Sequence, residues 1–295
     1  MPGIKEKKIN WDGFKDIIDR PIVKKDHLKP IFRGQSDYKW GLDTTFERFV
    51  GLDGFDSRQC SFESYWRILR AIKPAIYSLA DYRPNWDWDD EEFENIAWKK
   101  FNAKNLGHKP PCYEFMIYVR HHSFPSPLLD WTLSPYVAAH FAFTDAKEDT
   151  EVAIYEYQES THGVKAGSSG TPQIILMGPY AETHERHYLQ QCFYTICVKD
   201  TTKEENRFIY QRHGGVDFGD PIAEELYQDL LTKYIIPSSE REKALYDIRL
   251  MNINSFSLMG NEEGLMAYLA EKEFSSEKWL PAPQPEEQSA KSLEK

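Results

Sequence analysis

The order of helical and strand-like segments along the chain most constrains its fold. Apolar residues between 59 and 80 recur every three to four positions, which predicts a helix, and Pro74 should kink it. The later segments 151–157, 173–177 and 193–198 are rich in β-branched and aromatic residues, as strands are. Helices placed early and strands clustered late predict an α+β fold with a mixed or antiparallel central sheet, not regular α/β alternation.

The remaining elements complete a single domain over residues 1–280. They are a short helix leading into a strand that ends at Phe32, helices over 113–120, 136–143, 239–250 and 263–273, and a strand over 233–236. A loop is predicted to begin at Gly34. We expect residues 57–118 to be a helical insertion, and the Pro-, Glu- and Ser-rich segment 281–295 to be a disordered tail.

Composition excludes some classes of partner. Of the 295 residues, 36 are Lys or Arg and 47 are Asp or Glu, so the formal net charge is −11, unsuitable for coating duplex DNA. A local basic pocket for a phosphate-bearing ligand remains compatible with this charge. No apolar run reaches the roughly 18 to 20 residues of a membrane span. With no secretion signal and four scattered cysteines, we expect a cytoplasmic protein that does not bind membranes.

Arg33 is the first candidate site residue. It lies at the end of the predicted strand, directly after Phe32, and precedes Gly34, where a ligand could approach the backbone closely because glycine has no Cβ. A guanidinium there is suited to clamping a phosphate or carboxylate. The alternative is a structural ion pair between Arg33 and Asp130 that joins two distant segments.

Asp130 lies between Leu129 and Trp131, in surroundings where a carboxylate is costly to bury without a partner. Arg33 and His121 are the natural candidates for that partner. His121 begins a proline-rich loop, so it either contacts a ligand or shuttles a proton, or else it hydrogen-bonds to Asp130 and holds the loop in place.

Three further residues complete the candidate site. Trp131 is either a core residue or a stacking surface, and Thr132 presents a polar group beside Asp130. Gln190, predicted on a strand, carries an amide that reads a base or amide edge or satisfies neighbouring backbone. No spacing of His, Cys and carboxylates indicates a metal site.

Two segments resemble the FRG domain, a largely uncharacterised family named for its Phe-Arg-Gly triplet. The first is Phe32-Arg33-Gly34-Gln35, and the second is the sequence RHHSFPSPLLDWT over 120–132, followed by Ser134-Pro135. Weaker matches over 186–195 and 253–269 extend the resemblance to roughly residues 25–272. The chain departs from the usual family pattern at Ser123 and Ser126, where the family has Gly and Thr.

The order of these motifs is also similar to that of ADP-ribosyltransferases, which implies NAD as co-substrate and a transferase or NAD glycohydrolase activity. In that resemblance Arg33 holds the pyrophosphate and a late glutamate, Glu262 or Glu263, orients the ribose. The implied catalytic residues are Arg33, Asp130, Thr132, Glu262 and Glu263, and the implied NAD-binding residues are Arg33, Gly34, Gln35, His121, Trp131 and Gln190.

Two other interpretations remain open. The same pocket would serve a non-catalytic sensor or adaptor that binds a nucleotide or peptide, or the motif would be a core ion pair alone. For the enzyme, the partners would be a small nucleotide and a protein or nucleic-acid acceptor, and the family resemblance implies a bacterial toxin or antiphage role. The sequence predicts no oligomeric state.

Overall fold

The structure is a computed structural model that describes residues 3–19, 29–51, 60–79, 112–159, 170–200, 208–216, 218 and 229–274. The strands are β1 (Lys5–Lys8), β2 (Ile31–Gln35), β3 (Leu129–Thr132), β4 (Glu151–Gln158), β5 (Gln173–Met177), β6 (Cys192–Asp200), β7 (Phe208–Tyr210) and β8 (Leu230–Pro237). The α-helices are α1 (Trp11–Ile18), α2 (Thr45–Val50), α3 (Phe62–Leu79), α4 (Tyr113–His121), α5 (Pro135–Thr144), α6 (Arg186–Leu189), α7 (Arg241–Leu250), α8 (Ser255–Met259) and α9 (Glu262–Phe274).

The described strands form one mixed sheet in the order β1-β8-β4-β2-β3-β6-β5, with β7 paired to β6. Strands β1 and β8 run parallel, whereas the other neighbouring pairs are antiparallel. Helix α5 follows β3 directly. Its start is defined by Ser134, whose side chain accepts a hydrogen bond from the Val137 amide, and by Pro135 in the first turn.

Helices cover the sheet in two groups. Helices α1, α5 and α7 pack on one face of β2, β4 and β8, where Trp11, Phe143 and Ile248 are fully buried. Helices α3 and α4 pack with β5, β6 and β7 around Tyr194 and Tyr210. A third cluster covers the opposite side of β3 and β4 and includes Leu129 and Trp131. The side chains of β3 therefore alternate between two different environments.

The predicted α+β fold with a mixed sheet is confirmed, and β5 has the predicted bounds. The prediction that a loop begins at Gly34 is wrong, because β2 continues to Gln35 and pairs with β4 along its whole length. Strand β1 was not predicted, since its KEKK sequence lacks an apolar alternation. Helix α3 continues through Pro74.

Parts of two predictions fall outside the described residues. Helices α3 and α4 contribute the two ends of the proposed insertion at 57–118, but residues 80–111 between them are not described, and neither is the proposed tail at 281–295. Within the described ranges, none of the helices has the length and apolar character needed to cross a bilayer.

Candidate functional site

The candidate site lies where two neighbouring strands separate. Strands β2 and β3 pair only at Phe32 and Thr132, whereas β2 pairs with β4 at five positions. The Arg33 guanidinium occupies the opening, and its Nη1 donates to the backbone carbonyl of Asp130 over 2.8 Å. The two motif segments, nearly a hundred residues apart, therefore meet as expected.

A cavity of about 270 Å³ opens at this separation. Its lining brings together seven residues that the sequence indicated, namely Arg33, Gly34, His121, Asp130, Trp131, Thr132 and Gln190. It also includes Arg120 and Arg186, for which the sequence indicated no role. Arg120 directly precedes His121 in the motif, so its position was the only signal that could have indicated it.

Arg120 is the ion-pair partner of Asp130. The Arg120 Nη2 lies 2.5 Å from Asp130 Oδ2, and both side chains are partly buried. The expectation that Arg33 or His121 would pair with this carboxylate is wrong, because Arg33 bonds to the backbone carbonyl instead. The second carboxylate oxygen of Asp130, Oδ1, is buried and has no hydrogen-bond partner among the described residues.

The cavity carries more positive than negative charge. Within the described part of the chain, neither Arg33 nor Arg186 has a carboxylate at ion-pair distance, and the Nε atom of each has no hydrogen-bond partner. Burial, reinforced by Arg120 and Arg48 and opposed by Asp130, lowers the pKa of Arg33 to about 10. Arg33 is still protonated at neutral pH, so three guanidinium groups face one carboxylate in the lining.

His121 is held by a tyrosine. Its Nε2 lies 2.9 Å from the Tyr194 hydroxyl, which is also 3.2 Å from Nδ1 of His187. The proposed hydrogen bond from His121 to Asp130 is therefore replaced by one to Tyr194. Burial is the main cause that lowers the pKa of His121 to about 4, so the ring is neutral at pH 7.

Thr132 and Gln190 tie neighbouring elements together. The Thr132 hydroxyl donates to the Gln190 carbonyl over 2.7 Å and accepts from the Ser134 amide over 3.1 Å. The Gln190 Nε2 donates to the Leu258 carbonyl at the end of α8 over 3.1 Å. Gln190 lies in the turn between α6 and β6, not on the strand that the sequence predicted. Both side chains line the cavity while bonding to backbone groups.

Trp131 and Gly34 have packing roles. The Trp131 ring belongs to the core cluster on the other side of β3, and its Nε1 donates to the Thr195 hydroxyl over 2.9 Å. A Cβ at Gly34 would lie 1.8 Å from the Ala138 carbonyl oxygen in α5. The missing side chain of Gly34 thus admits the α5 backbone, whereas the sequence suggested close approach by a ligand.

A second, larger cavity of about 600 Å³ adjoins the first, and both are lined by Arg33, Gly34 and Phe141. Gln35 lines only the larger one; its side chain is buried, and Nε2 donates to the Gly41 carbonyl over 2.8 Å. Trp40 is exposed at the edge. Because both cavities are lined by Arg33, we refer to them together as the cleft, with Arg33 between its two parts.

The late glutamates lie apart from this cleft. Glu262 and Glu263 are exposed in the first turn of α9, and neither lines either cavity. The role that the transferase resemblance gives them has no geometric counterpart here. Among the described residues, no group of three or more His, Cys, Asp or Glu side chains could hold a metal ion.

The fold and site together define an α+β protein with an arginine-lined cleft at a split in its sheet. The family model of the FRG domain matches residues 29–151, so the chain contains an FRG domain. This range supplies Arg33, Arg120, His121 and Asp130, whereas Arg186 comes from outside it. Neither the curated proteins nor the solved structures gave a match.

Proposed function

We propose that the cleft binds a nucleotide through its phosphates. The observation that supports this is the set of three guanidinium groups, Arg33, Arg120 and Arg186, around one small cavity in a chain of net charge −11. Two of them have no carboxylate partner among the described residues. A phosphate would supply the missing negative charge, and guanidinium groups bind phosphate oxygens with charge-assisted hydrogen bonds.

The size of the cleft favours a dinucleotide. Cavities of about 270 and 600 Å³ adjoin at Arg33, and ligand sites usually span about 300 to 1,000 Å³. A pyrophosphate at this junction would leave space for one nucleoside on either side. The exposed ring of Trp40 and the buried amide of Gln35 would lie beside one of them.

NAD is the dinucleotide we propose, and its nicotinamide–ribose bond is the bond that breaks. Nicotinamide leaves with the bonding electron pair, and water or an acceptor nucleophile adds to the ribose carbon and releases a proton. The carboxylate of Asp130, the one carboxylate in the described lining of the smaller cavity, would stabilise the positively charged ribose. Glu262 and Glu263 have no part in this step.

Release of free nicotinamide from NAD tests the proposal. The wild-type protein should release nicotinamide, measured by chromatography, and Arg186→Ala should slow release at low NAD by about 10- to 100-fold, the loss expected for charge-assisted hydrogen bonds. Arg67→Ala is the matched control, because Arg67 is exposed and pairs with Glu63 on α3. Wild-type protein that neither releases nicotinamide nor modifies a target would contradict the proposed reaction.

A nucleotide-binding module without turnover is the second candidate. The position of Glu262 and Glu263 outside both cavities favours it. It predicts that NAD raises the thermal midpoint and is recovered intact.

The toxin or defence role follows only from the enzyme. It predicts that expression of the wild-type chain lowers cellular NAD, whereas expression of Asp130→Asn does not. An equal NAD content in both cultures would count against this role.

A further inference from the structure

The tautomer of His121 can be derived from a chain of hydrogen bonds behind the cavity. The His187 Nε2 lies 2.7 Å from the backbone carbonyl of Pro179. A carbonyl oxygen can only accept, so this nitrogen carries a proton. Burial lowers the pKa of His187, which keeps the ring neutral at pH 7 and leaves its Nδ1 without a proton.

The Tyr194 hydroxyl contacts both rings, so the protonation of His187 determines which nitrogen of His121 carries a proton. The hydroxyl lies 3.2 Å from the bare Nδ1 of His187, which has no other donor among the described residues, and donates its single proton there. The Cys192 thiol also hydrogen-bonds with this hydroxyl, but burial raises the pKa of the thiol to about 12, so it has a proton of its own to donate. The Tyr194 oxygen lies 2.9 Å from Nε2 of His121, so His121 must donate. The proton of the neutral His121 ring is therefore on Nε2, and Nδ1 is bare.

The bare nitrogen has no donor within the described part of the chain, although His121 lines the smaller cavity. The positively charged neighbours there, Arg33, Arg120 and Arg186, are all donors, and the one negatively charged neighbour in the described lining, Asp130, is paired with Arg120. His121 therefore adds an acceptor to a lining of cationic donors. A ligand that pairs with the arginines and also donates to Nδ1 of His121 must present an anionic group and, close to it, an N–H or O–H group.

We propose that Tyr194 and His187 are positioning residues that hold His121 in the Nε2–H tautomer, so that its Nδ1 accepts a hydrogen bond from a hydroxyl beside the phosphate of the ligand. The ligand part of this inference rests on the proposed nucleotide function, in which the hydroxyl is one of the ribose. The site thereby selects ribonucleotides over ligands that carry phosphate alone.

Nitrogen-15 NMR of the ligand-free protein tests the tautomer without any ligand. The His121 signals, assigned with His121→Gln, should show a protonated Nε2 and a bare Nδ1. In Tyr194→Phe, which removes only the bridging hydroxyl, this preference should be lost. A proton on Nδ1 of His121 in the wild-type protein overturns the inference, whether or not the variant folds.

Calorimetry tests the selection with ADP, its 2′-deoxy and 3′-deoxy analogues, and inorganic pyrophosphate. Removal of the recognised hydroxyl should weaken binding to the wild-type protein about 10-fold, the effect of one hydrogen bond, and much less in Tyr194→Phe. Pyrophosphate should bind both proteins equally, because the arginines are intact. Equal binding of all three nucleotides to the wild-type protein overturns the selection.

The two measurements also separate this inference from the proposed function. If neither ADP nor pyrophosphate binds, the nucleotide proposal fails and the ligand part of this inference fails with it, while NMR still decides the tautomer. If both bind but His121 carries its proton on Nδ1, the nucleotide proposal stands and only the inference fails.

Discussion

The two sides of strand β3 place polar groups in opposite situations. Asp130 pairs with Arg120 at the wall of an open cavity, and its side chain retains 29% of its exposure. On the other side, Trp131 donates to Thr195, which hydrogen-bonds to Nε2 of His213. This series of hydrogen bonds leads towards Glu47, whose Oε1 lies 3.8 Å from Nδ1 of His213.

The difference is access, not composition. Both sides combine a carboxylate with basic or hydrogen-bonding groups, but His213 and Glu47 are at most 1% exposed. Polar groups sealed in this way contribute to stability and uniqueness of packing, and they cannot touch a ligand. Substitutions on the sealed side should therefore change the free energy of unfolding alone, whereas substitutions on the cavity side should change binding.

The largest effect is expected at Gly34 of β2, which lines both cavities and packs against α5. A Cβ added there would lie 1.8 Å from the Ala138 carbonyl oxygen and 2.8 Å from the Ala142 nitrogen, so α5 would have to move. We expect Gly34→Ala to lower the free energy of unfolding by about 3 kcal/mol or more. Urea denaturation measures this change.

Gly215→Ala is the matched control for Gly34→Ala. A Cβ at Gly215 would meet nothing within 4 Å, and it should change stability by less than about 0.5 kcal/mol. Equal effects of the two substitutions would show that α5 does not require glycine in β2.

The next largest effect is expected on the sealed side. Thr195→Val keeps the side-chain shape but leaves Trp131 Nε1 and His213 Nε2 without their shared partner. We expect a loss of about 2 to 3 kcal/mol in urea denaturation, because buried polar groups left unsatisfied are costly. Nucleotide affinity of the folded protein should be unchanged.

Thr232→Val in β8, where the side chain is partly exposed, is the control for Thr195→Val and should have little effect on stability. A Thr195→Val protein of normal stability but weakened nucleotide binding would reverse the assignment of the two sides of β3.

A smaller loss of stability and a change in binding are expected at Asp130. Asp130→Ala leaves Arg120 without its partner, and since both groups are partly exposed the loss should be about 1 to 2 kcal/mol. Pyrophosphate should bind more tightly, because the one carboxylate in the described lining of the smaller cavity is removed from among three guanidinium groups. Nicotinamide release should fall, so binding and turnover change in opposite directions.

Calorimetry and the nicotinamide assay measure the two effects of Asp130→Ala, and Asp130→Asn serves as the variant of similar shape. Weaker pyrophosphate binding in both variants would mean that Asp130 supports the anion site instead of competing with it.

His121 should give the cavity side a part in the pH dependence of stability. The pKa of His121 is about 4 in the folded protein, against an ordinary 6.5 in the unfolded chain. The unfolded state therefore binds more protons between these values, and the free energy of unfolding falls as pH drops from about 6.5 to 4. The slope from this residue should approach about 1.4 kcal/mol per pH unit.

His121→Gln should remove that part of the slope, whereas the similar contribution of His140, whose pKa burial lowers to about 4, should persist. Urea denaturation over this pH range measures both. An unchanged slope in His121→Gln would show that His121 does not titrate differently in the folded and unfolded states.

Local patterns predicted the elements well and the pairings poorly. The β-rich run at 173–177 and the Ser134-Pro135 helix start follow from residue type and neighbours, so they were predictable. Placing Arg33 near Asp130 depended on the family motif, because no local rule joins residues 97 positions apart.

The missed contributions have a tertiary origin. The sequence did not indicate Arg120 as the partner of Asp130. It indicated Arg33, but β2 separates from β3, and Arg33 bonds to the backbone carbonyl of Asp130 instead of to its carboxylate. Arg186 enters the cavity from the short helix α6, and only the weaker family match over 186–195 indicated this residue. Glu262 and Glu263 were selected by their order in the chain, and order alone does not determine how close a residue lies to the cleft.

Calorimetric titration of NAD into the wild-type protein and into Arg33→Ala, Arg186→Ala and Arg67→Ala tests the arginine-lined cleft most directly. The wild-type and Arg67→Ala proteins should bind NAD with equal affinity, and Arg33→Ala and Arg186→Ala should each bind at least about 10-fold more weakly while remaining folded. No binding to the wild-type protein, or the same affinity in all four proteins, would contradict the account.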